Sequence, residues 1–255
     1  MRSFRGDSRL IKPPSRAWLV LSILLALAGV AFLALFGYEQ YGYLRSSRYY
    51  TELQQVACTE EGAAAPSSKI DFAALQAINA DTAAWLEMPA LSLELPVVQA
   101  QDNQTWLHQS FDGTPSPEGC LFFAAQSGGQ EDLYRIIYGH NLHTGSMFSG
   151  LTGYRDQAFY EKNPTFTLCT PEGDETWRIF SCHDATDTED LYRTGRTPGE
   201  EYNAFLQELQ AASLYDTGVT VPEDARVLTL STCSTSYGSG LDRFVVHAYC
   251  EAEKE

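Results

Sequence analysis

Val227-Leu-Thr-Leu-Ser-Thr-Cys233 alternates apolar and hydroxylated side chains with the two-residue period of a β-strand. If Leu228, Leu230 and Thr232 face a core, Thr229, Ser231 and Cys233 share the opposite face, and a thiol stands at the strand's C-terminal end. The run that opens at Arg243 alternates in the same way. Phe244, Val246, Ala248 and Cys250 form one face, and Arg243, Val245 and His247 the other. Antiparallel pairing of the two runs through the loop Ser234–Asp242 sets Cys233 beside Arg243.

Working outward, six more segments have strand composition: Trp85–Met88, Leu91–Gln99, Cys120–Ala124, Arg135–Tyr138, Thr165–Thr170 and Thr176–Cys182. With Arg226–Cys233 and Phe244–Glu251 they make eight, mostly separated by Gly, Pro, Asp or Asn. The fold class is therefore mainly β, and eight short strands suggest a closed barrel, which leaves no sheet edge exposed. Two helices flank it. Asp71–Asn79 carries Phe72, Leu75 and Ile78 at helical spacing, and a long insertion between Ala185 and Asp224 holds Glu200–Leu214, with Tyr202, Phe205, Leu206 and Leu209 as its apolar stripe. Packing on the barrel is the main role expected for that stripe, and the helix also suits one wall of a groove.

Residues 17–38 read AWLVLSILLALAGVAFLALFGY, without a charge. At about 1.5 Å per residue such a run crosses the roughly 30 Å hydrocarbon core of a bilayer. A cleaved signal peptide has a shorter apolar region followed by small residues. Here bulky Phe32, Leu33, Leu35 and Phe36 occupy that place, so an uncleaved signal-anchor is expected. Residues 1–16 hold Arg2, Arg5, Arg9, Lys12 and Arg16 against Asp7 alone, which puts the N-terminus in the cytoplasm and the rest outside. Residues 39–69, a Tyr-rich polar stretch ending in EEGAAAPSSK, read as an extracellular stalk, and residues 70–255 as the functional domain. The chain carries a net charge of −16 despite its basic tail, which argues against nucleic acid as a partner and suits a cationic acceptor such as an amine.

The six cysteines, Cys58, Cys120, Cys169, Cys182, Cys233 and Cys250, include no C-x-x-C pair, so neither a metal nor a cofactor is expected. An extracellular domain permits disulfides, with a connectivity that sequence leaves open. A cation beside Cys233 favours the thiolate and offers donors to an oxyanion, so Cys233 and Arg243 together suit acyl transfer. Such a site also needs a group to protonate a leaving amine. Five histidines are candidates. His108 reads as structural, His143 as solvated, His183 as strand-flanking and His247 as a cross-strand packing residue. His140 follows the apolar strand Arg135–Tyr138, and Gly139 before it permits an unusual backbone turn.

Thr229-Leu-Ser-Thr-Cys233 resembles the T-L-x-T-C signature of sortases, Arg243 lies where that family has its essential arginine, and Tyr138-Gly-His140-Asn-Leu resembles the segment that carries the sortase histidine. Asn163-Pro164, the helix-bearing insertion and Arg243-Phe-Val-Val-His247-Ala look like class B sortases. So do Ile78-Asn-Ala-Asp81, Trp85-Leu86, Pro96-Val-Val-Gln99, Asp102-Asn103 and Phe111-Asp-Gly113. The likeness runs from about Ile70 to Glu251. It implies a sortase-type barrel of eight strands and an extracellular cysteine transpeptidase of Gram-positive cell surfaces. Cys233 is then the nucleophile, His140 the acid and base, and Arg243 the oxyanion clamp. Asn103, Leu107, Ser231 and Thr232 are expected to bind substrate. The implied substrate is a surface protein or pilin cleaved after Thr in a C-terminal sorting motif. The implied acceptor is an amine of peptidoglycan or of a pilin lysine. Class B enzymes often process NPQTN-like motifs and some build pili. The loop after Cys233 departs from the pattern: it has two glycines and no acidic residue directly after the cysteine, where some class B enzymes carry one.

Two rivals remain at this stage. Another extracellular cysteine peptidase or transpeptidase would place its motifs differently: papain-like enzymes set Cys before His, and L,D-transpeptidases use a Ser-x-Gly-Cys-type segment that is absent here. A non-catalytic, membrane-tethered surface-binding barrel would lack one of Cys233, His140 and Arg243, and all three are present.

Overall fold

The alternation of Val227–Cys233 survives as strand β7 (Val227–Cys233), hydrogen-bonded on both sides inside a closed barrel. The computed structural model describes residues 16–57, 69–127, 129, 132–186, 190–233 and 242–251. The other strands are β1 (Thr82–Met88), β2 (Leu93–Gln99), β3 (Leu121–Phe123), β4 (Tyr134–Tyr138), β5 (Thr165–Thr170), β6 (Gly173–Thr186) and β8 (Asp242–Cys250). Their order around the barrel is β1-β2-β3-β4-β7-β8-β6-β5, and β1 closes on β5 through Trp85 opposite Cys169. Only β2/β3 and β4/β7 run parallel. All eight segments read as strands are strands, and β6 extends past its expected ends to Gly173 and Thr186.

Two apolar layers follow from the alternation. One face of each strand lines the barrel interior, where Leu86, Val97, Phe122, Ile137, Leu168, Leu228, Leu230, Phe244 and Val246 are buried together. The opposite faces of β4, β7 and β8 bring Tyr134, Ile136, Val227 and Val245 against α4 (Glu200–Ala211), whose Tyr202, Phe205, Leu206 and Leu209 are all buried. Burying a side chain of this size stabilises by about 1.5–3 kcal/mol. The face that carries Thr229 and Ser231 therefore does not meet solvent: the insertion covers it. Asp71 caps α2 (Phe72–Ile78) by accepting a hydrogen bond from the Ala74 amide at 2.9 Å, and Asp156 caps α3 (Gln157–Lys162) by accepting one from the Ala158 amide at 2.9 Å. Glu200 and Glu201 occupy the first turn of α4, where they complement the positive end of its dipole.

The N-terminal helix α1 (Arg16–Ala57) is far longer than the apolar run within it. The chain divides into residues 1–42 and residues 43–255 as two compact units. In the second unit the last turns of α1 pack on the barrel: Tyr50, Leu53 and Ala57 are buried, and the Tyr50 hydroxyl donates to the Gly119 carbonyl at 2.8 Å. Within the stretch 39–69 expected to be a stalk, the residues as far as Ala57 belong to α1, and residues 58–68 lie outside the described residues. The polar look of residues 43–57 hides a stripe of Ser46, Tyr50, Leu53 and Ala57 at helical spacing. In the first unit the apolar part of α1 has a stretch of mean hydropathy 2.8 with none of it buried, so by length and composition it can cross a membrane.

Candidate active site

Parallel pairing of β4 with β7 places Tyr138 opposite Ser231, and the Gly139 amide donates to the Ser231 carbonyl at 3.2 Å. Extending both strands by the same count brings His140 level with Cys233. On the other side of β7, Cys233 is the register partner of Arg243. Histidine, cysteine and arginine thus converge at one end of the barrel through three adjacent strands, with β7 in the middle.

Gly139 has a reason other than the turn expected of it. Its φ is not positive. A Cβ built there would lie 2.5 Å from Leu121 Cδ2 and 2.6 Å from Phe148 Cδ2. Close packing, not backbone freedom, requires glycine beside His140. The Phe148 amide then donates to the His140 carbonyl at 2.9 Å and fixes the turn.

The His140 ring lies 2.8 Å from the Leu107 carbonyl through Nε2. A carbonyl only accepts, so Nε2 carries the hydrogen and Nδ1 remains for proton exchange. Burial pushes the imidazole below the usual histidine range; the Leu107 carbonyl opposes that shift, and His108, whose ring centre lies 6.5 Å away, adds to it. His108, read as structural, is exposed.

A cleft of about 640 Å³ opens at this end, lined by His140 and Arg243 together with Asn103, Leu107, Ser231 and Thr232. The last four engage it differently. Asn103 is anchored at both ends of its amide, accepting from the Ala125 amide at 2.8 Å and donating to Gln126 Oε1 at 3.0 Å. Leu107 contributes its carbonyl. Ser231 is buried and its hydroxyl shares a 2.9 Å hydrogen bond with the Tyr192 hydroxyl. Thr232 is also buried, and its Oγ1 has no hydrogen-bond partner among the described residues.

Sequence reasoning missed Tyr192. It lies in the insertion, stacks on Tyr138 with ring centres 6.2 Å apart and an interplanar angle of 12°, and ties the insertion to β7. Thr194 holds the same wall by donating to the Gln126 carbonyl at 2.9 Å. A lone aromatic residue among the charges of Asp190–Arg196 was the available signal. Behind this wall His247 is fully buried, with Nδ1 2.8 Å from the Thr229 hydroxyl and its ring centre 5.1 Å from that of His183. Residues 234–241, most of the loop that joins β7 to β8, lie outside the described residues.

Among the described residues, the other thiols are poor nucleophiles. Cys120, Cys169 and Cys182 are buried and unbridged, and burial drives all three thiols upward, that of Cys120 to about 12. Cys250 is half-buried beside Arg226.

The sortase domain family matches residues 86–251. Sortase B of Staphylococcus aureus is 30% identical over 178 residues, which cover 69% of this chain and 73% of that protein. Sortase B of Listeria monocytogenes is 30% identical over 173 residues, covering 68% and 70%. Among solved structures, the Staphylococcus aureus sortase B–substrate complex superposes with a TM-score of 0.74 at 27% identity, over 82% of this chain and 98% of that one. Sortase B from B. anthracis in complex with AAEK1 gives 0.73 at 28% identity over the same shares. On sequence and fold alike, the chain belongs to the sortase family, cell-surface cysteine transpeptidases, and is of the sortase B type.

Proposed function

We propose that Cys233, His140 and Arg243 carry out a two-step acyl transfer from a sorting motif to an amine. The register, with Cys233 opposite Arg243 and level with His140 at the end where the cleft opens, is the observation that supports this reading. The Cys233 thiolate attacks the backbone carbonyl of a Thr in the motif, and a C–S bond forms. His140 Nδ1, which holds the proton taken from the Cys233 thiol, gives it to the departing amine as the C–N bond breaks, leaving a thioester. An acceptor amine then attacks the thioester and passes a proton back to Nδ1. A new C–N bond forms and the thiolate leaves. Arg243 donates to the oxyanion in both steps. Asn103, Leu107, Ser231 and Thr232 shape the path of the motif, Leu107 by holding His140 in the required tautomer.

The substrate is a surface protein or pilin, and the acceptor an amine of a peptidoglycan cross-bridge or of a pilin lysine. No cofactor is required. The apolar part of α1 anchors the protein in the membrane once, with residues 1–16 inside and the barrel outside. The deciding experiment incubates the protein with a panel of sorting-motif peptides and with glycine-type or lysine-type amines, and identifies products by mass spectrometry. A peptide cut after Thr and joined to the added amine is expected. Cleavage elsewhere, or no thioester trapped on Cys233, overturns the proposal.

A further inference from the structure

A second pocket lies apart from the cleft and shares no lining residue with it. It encloses about 180 Å³ between the C-terminal turns of α1 (Ser47, Tyr50, Thr51), the Leu91–Leu95 segment, and the turn Gly145–Met147. Glu118 lines it and is 1% exposed. One carboxylate oxygen, Oε1, accepts from the Ser146 hydroxyl at 3.0 Å and from that of Thr144 at 3.5 Å. The other, Oε2, is buried with no hydrogen-bond partner among the described residues.

None of the described residues lining the pocket is a Lys, Arg or His, and Glu94 adds a second carboxylate at its exposed side. Burying a carboxylate without a compensating charge is costly, and such groups are normally paired. Glu118 is nevertheless held firmly. Its amide donates to Ser116 Oγ at 3.2 Å, Ser116 Oγ meets Ser46 Oγ at 3.3 Å, and the neighbouring Gly119 carbonyl accepts from Tyr50. The carboxylate is thus positioned by its own neighbours.

Which cation fits is decided by size and walls. Calcium takes 6–8 oxygen ligands, generally with several carboxylates. No group of three or more His, Cys, Asp or Glu side chains able to hold a metal occurs among the described residues. The space is that of an aliphatic side chain rather than a bare ion, and Leu91, Leu93, Leu95 and Met147 are among its lining residues. We propose that the Glu118 pocket binds an aliphatic primary ammonium of the lysine side-chain type, its methylenes against the leucines and its head against the Glu118 carboxylate. The three N–H donors of an ammonium match an acceptor-rich floor without an internal cation.

The test is calorimetric titration of the full-length protein in detergent, at physiological salt, with n-butylammonium as the probe and n-butanol as its neutral counterpart. The salt screens loose attraction to the acidic surface. One-to-one binding of n-butylammonium is expected, with affinity lowered about tenfold or more in Glu118→Gln, since a hydrogen bond to a charged group is the strong kind. Thr51→Trp, which leaves Glu118 intact but fills the exposed rim, should also lower it. Equal binding of n-butanol makes the pocket merely apolar and overturns the proposal. So does n-butylammonium binding that neither variant weakens, heat from calcium or sodium that n-butylammonium cannot displace, or no binding to the unmodified protein.

Discussion

Lysine in place of Arg243 keeps a positive charge beside the cleft but loses the planar fork of donors that a guanidinium offers. Arg243→Lys should therefore fold normally yet lose roughly 10²–10³ of its turnover, the scale of one missing oxyanion donor. Steady-state kinetics with a thermal melt check this, and a melt lowered enough to explain the lost activity would make Arg243 structural. Cys233→Ala should leave the barrel intact and reduce thioester formation to background, read by mass spectrometry. At Gly139 the expected injury is steric. A Cβ 2.5 Å from Leu121 Cδ2 and 2.6 Å from Phe148 Cδ2 forces packed side chains apart, so Gly139→Ala should cost about 1–3 kcal/mol of stability in denaturant unfolding. The same residue shows where sequence reading stops. Its place after an apolar strand made His140 one candidate among five histidines, and the resemblance of its segment to sortases singled it out. The reason for Gly139 was not legible, because Leu121 and Phe148 approach it only in the folded barrel. Leu107 contributes a backbone carbonyl, a group every residue carries, so nothing in its side chain announces the hydrogen bond that sets the His140 tautomer.

The strands were legible because each of them must bury one face, and alternation records that need directly. The helix α4 was legible for the same reason at a different period. The end of α1 was not, since its buried stripe includes serine and tyrosine among arginines and other hydroxyls. Tyr192 was missed because an insertion has no periodicity, and only its packing on Tyr138 and its bond to Ser231 reveal a wall of the cleft. These links make α4 more than a cover. Phe205 is buried, its ring meets that of Tyr134 edge-on at 5.1 Å, and the Arg196 guanidinium lies over its face, 3.3 Å from the ring centre. Phe205→Ala should cost about 3–5 kcal/mol. It should also raise KM more than it lowers kcat, as the insertion loosens from the barrel, and peptide kinetics on the folded fraction can read that split.

Stability of the whole molecule should depend on pH through His247. Burial holds its imidazole well below the usual histidine range, and nearby His183 pushes in the same direction. In the unfolded chain it titrates near 6.5. The folded state thus binds fewer protons than the unfolded one across the interval below about pH 6.5, and stability is lost as pH falls through it. His140 is lowered too, and acts with the same sign. Melting temperature should decline from about pH 7 to pH 5, before most carboxylates titrate, and His247→Gln should flatten part of that decline. Activity should follow a bell in kcat/KM set by the coupled cysteine and histidine, its acidic limb displaced below the ordinary histidine position.

The parallel bond between β4 and β7 also governs when the site can come into being. The two strands meet at Tyr138 and Ser231, far apart along the chain, and β7 enters the barrel between β4 and its own successor β8. Closing so long a loop carries an entropic cost before any contact rewards it. The histidine strand is synthesised early and waits, its partner edge open, until the cysteine strand arrives to fill the gap. A chain in which β7 has not yet paired with β4 holds Cys233 and His140 apart, so the acyl transfer proposed for them requires the last strands in place.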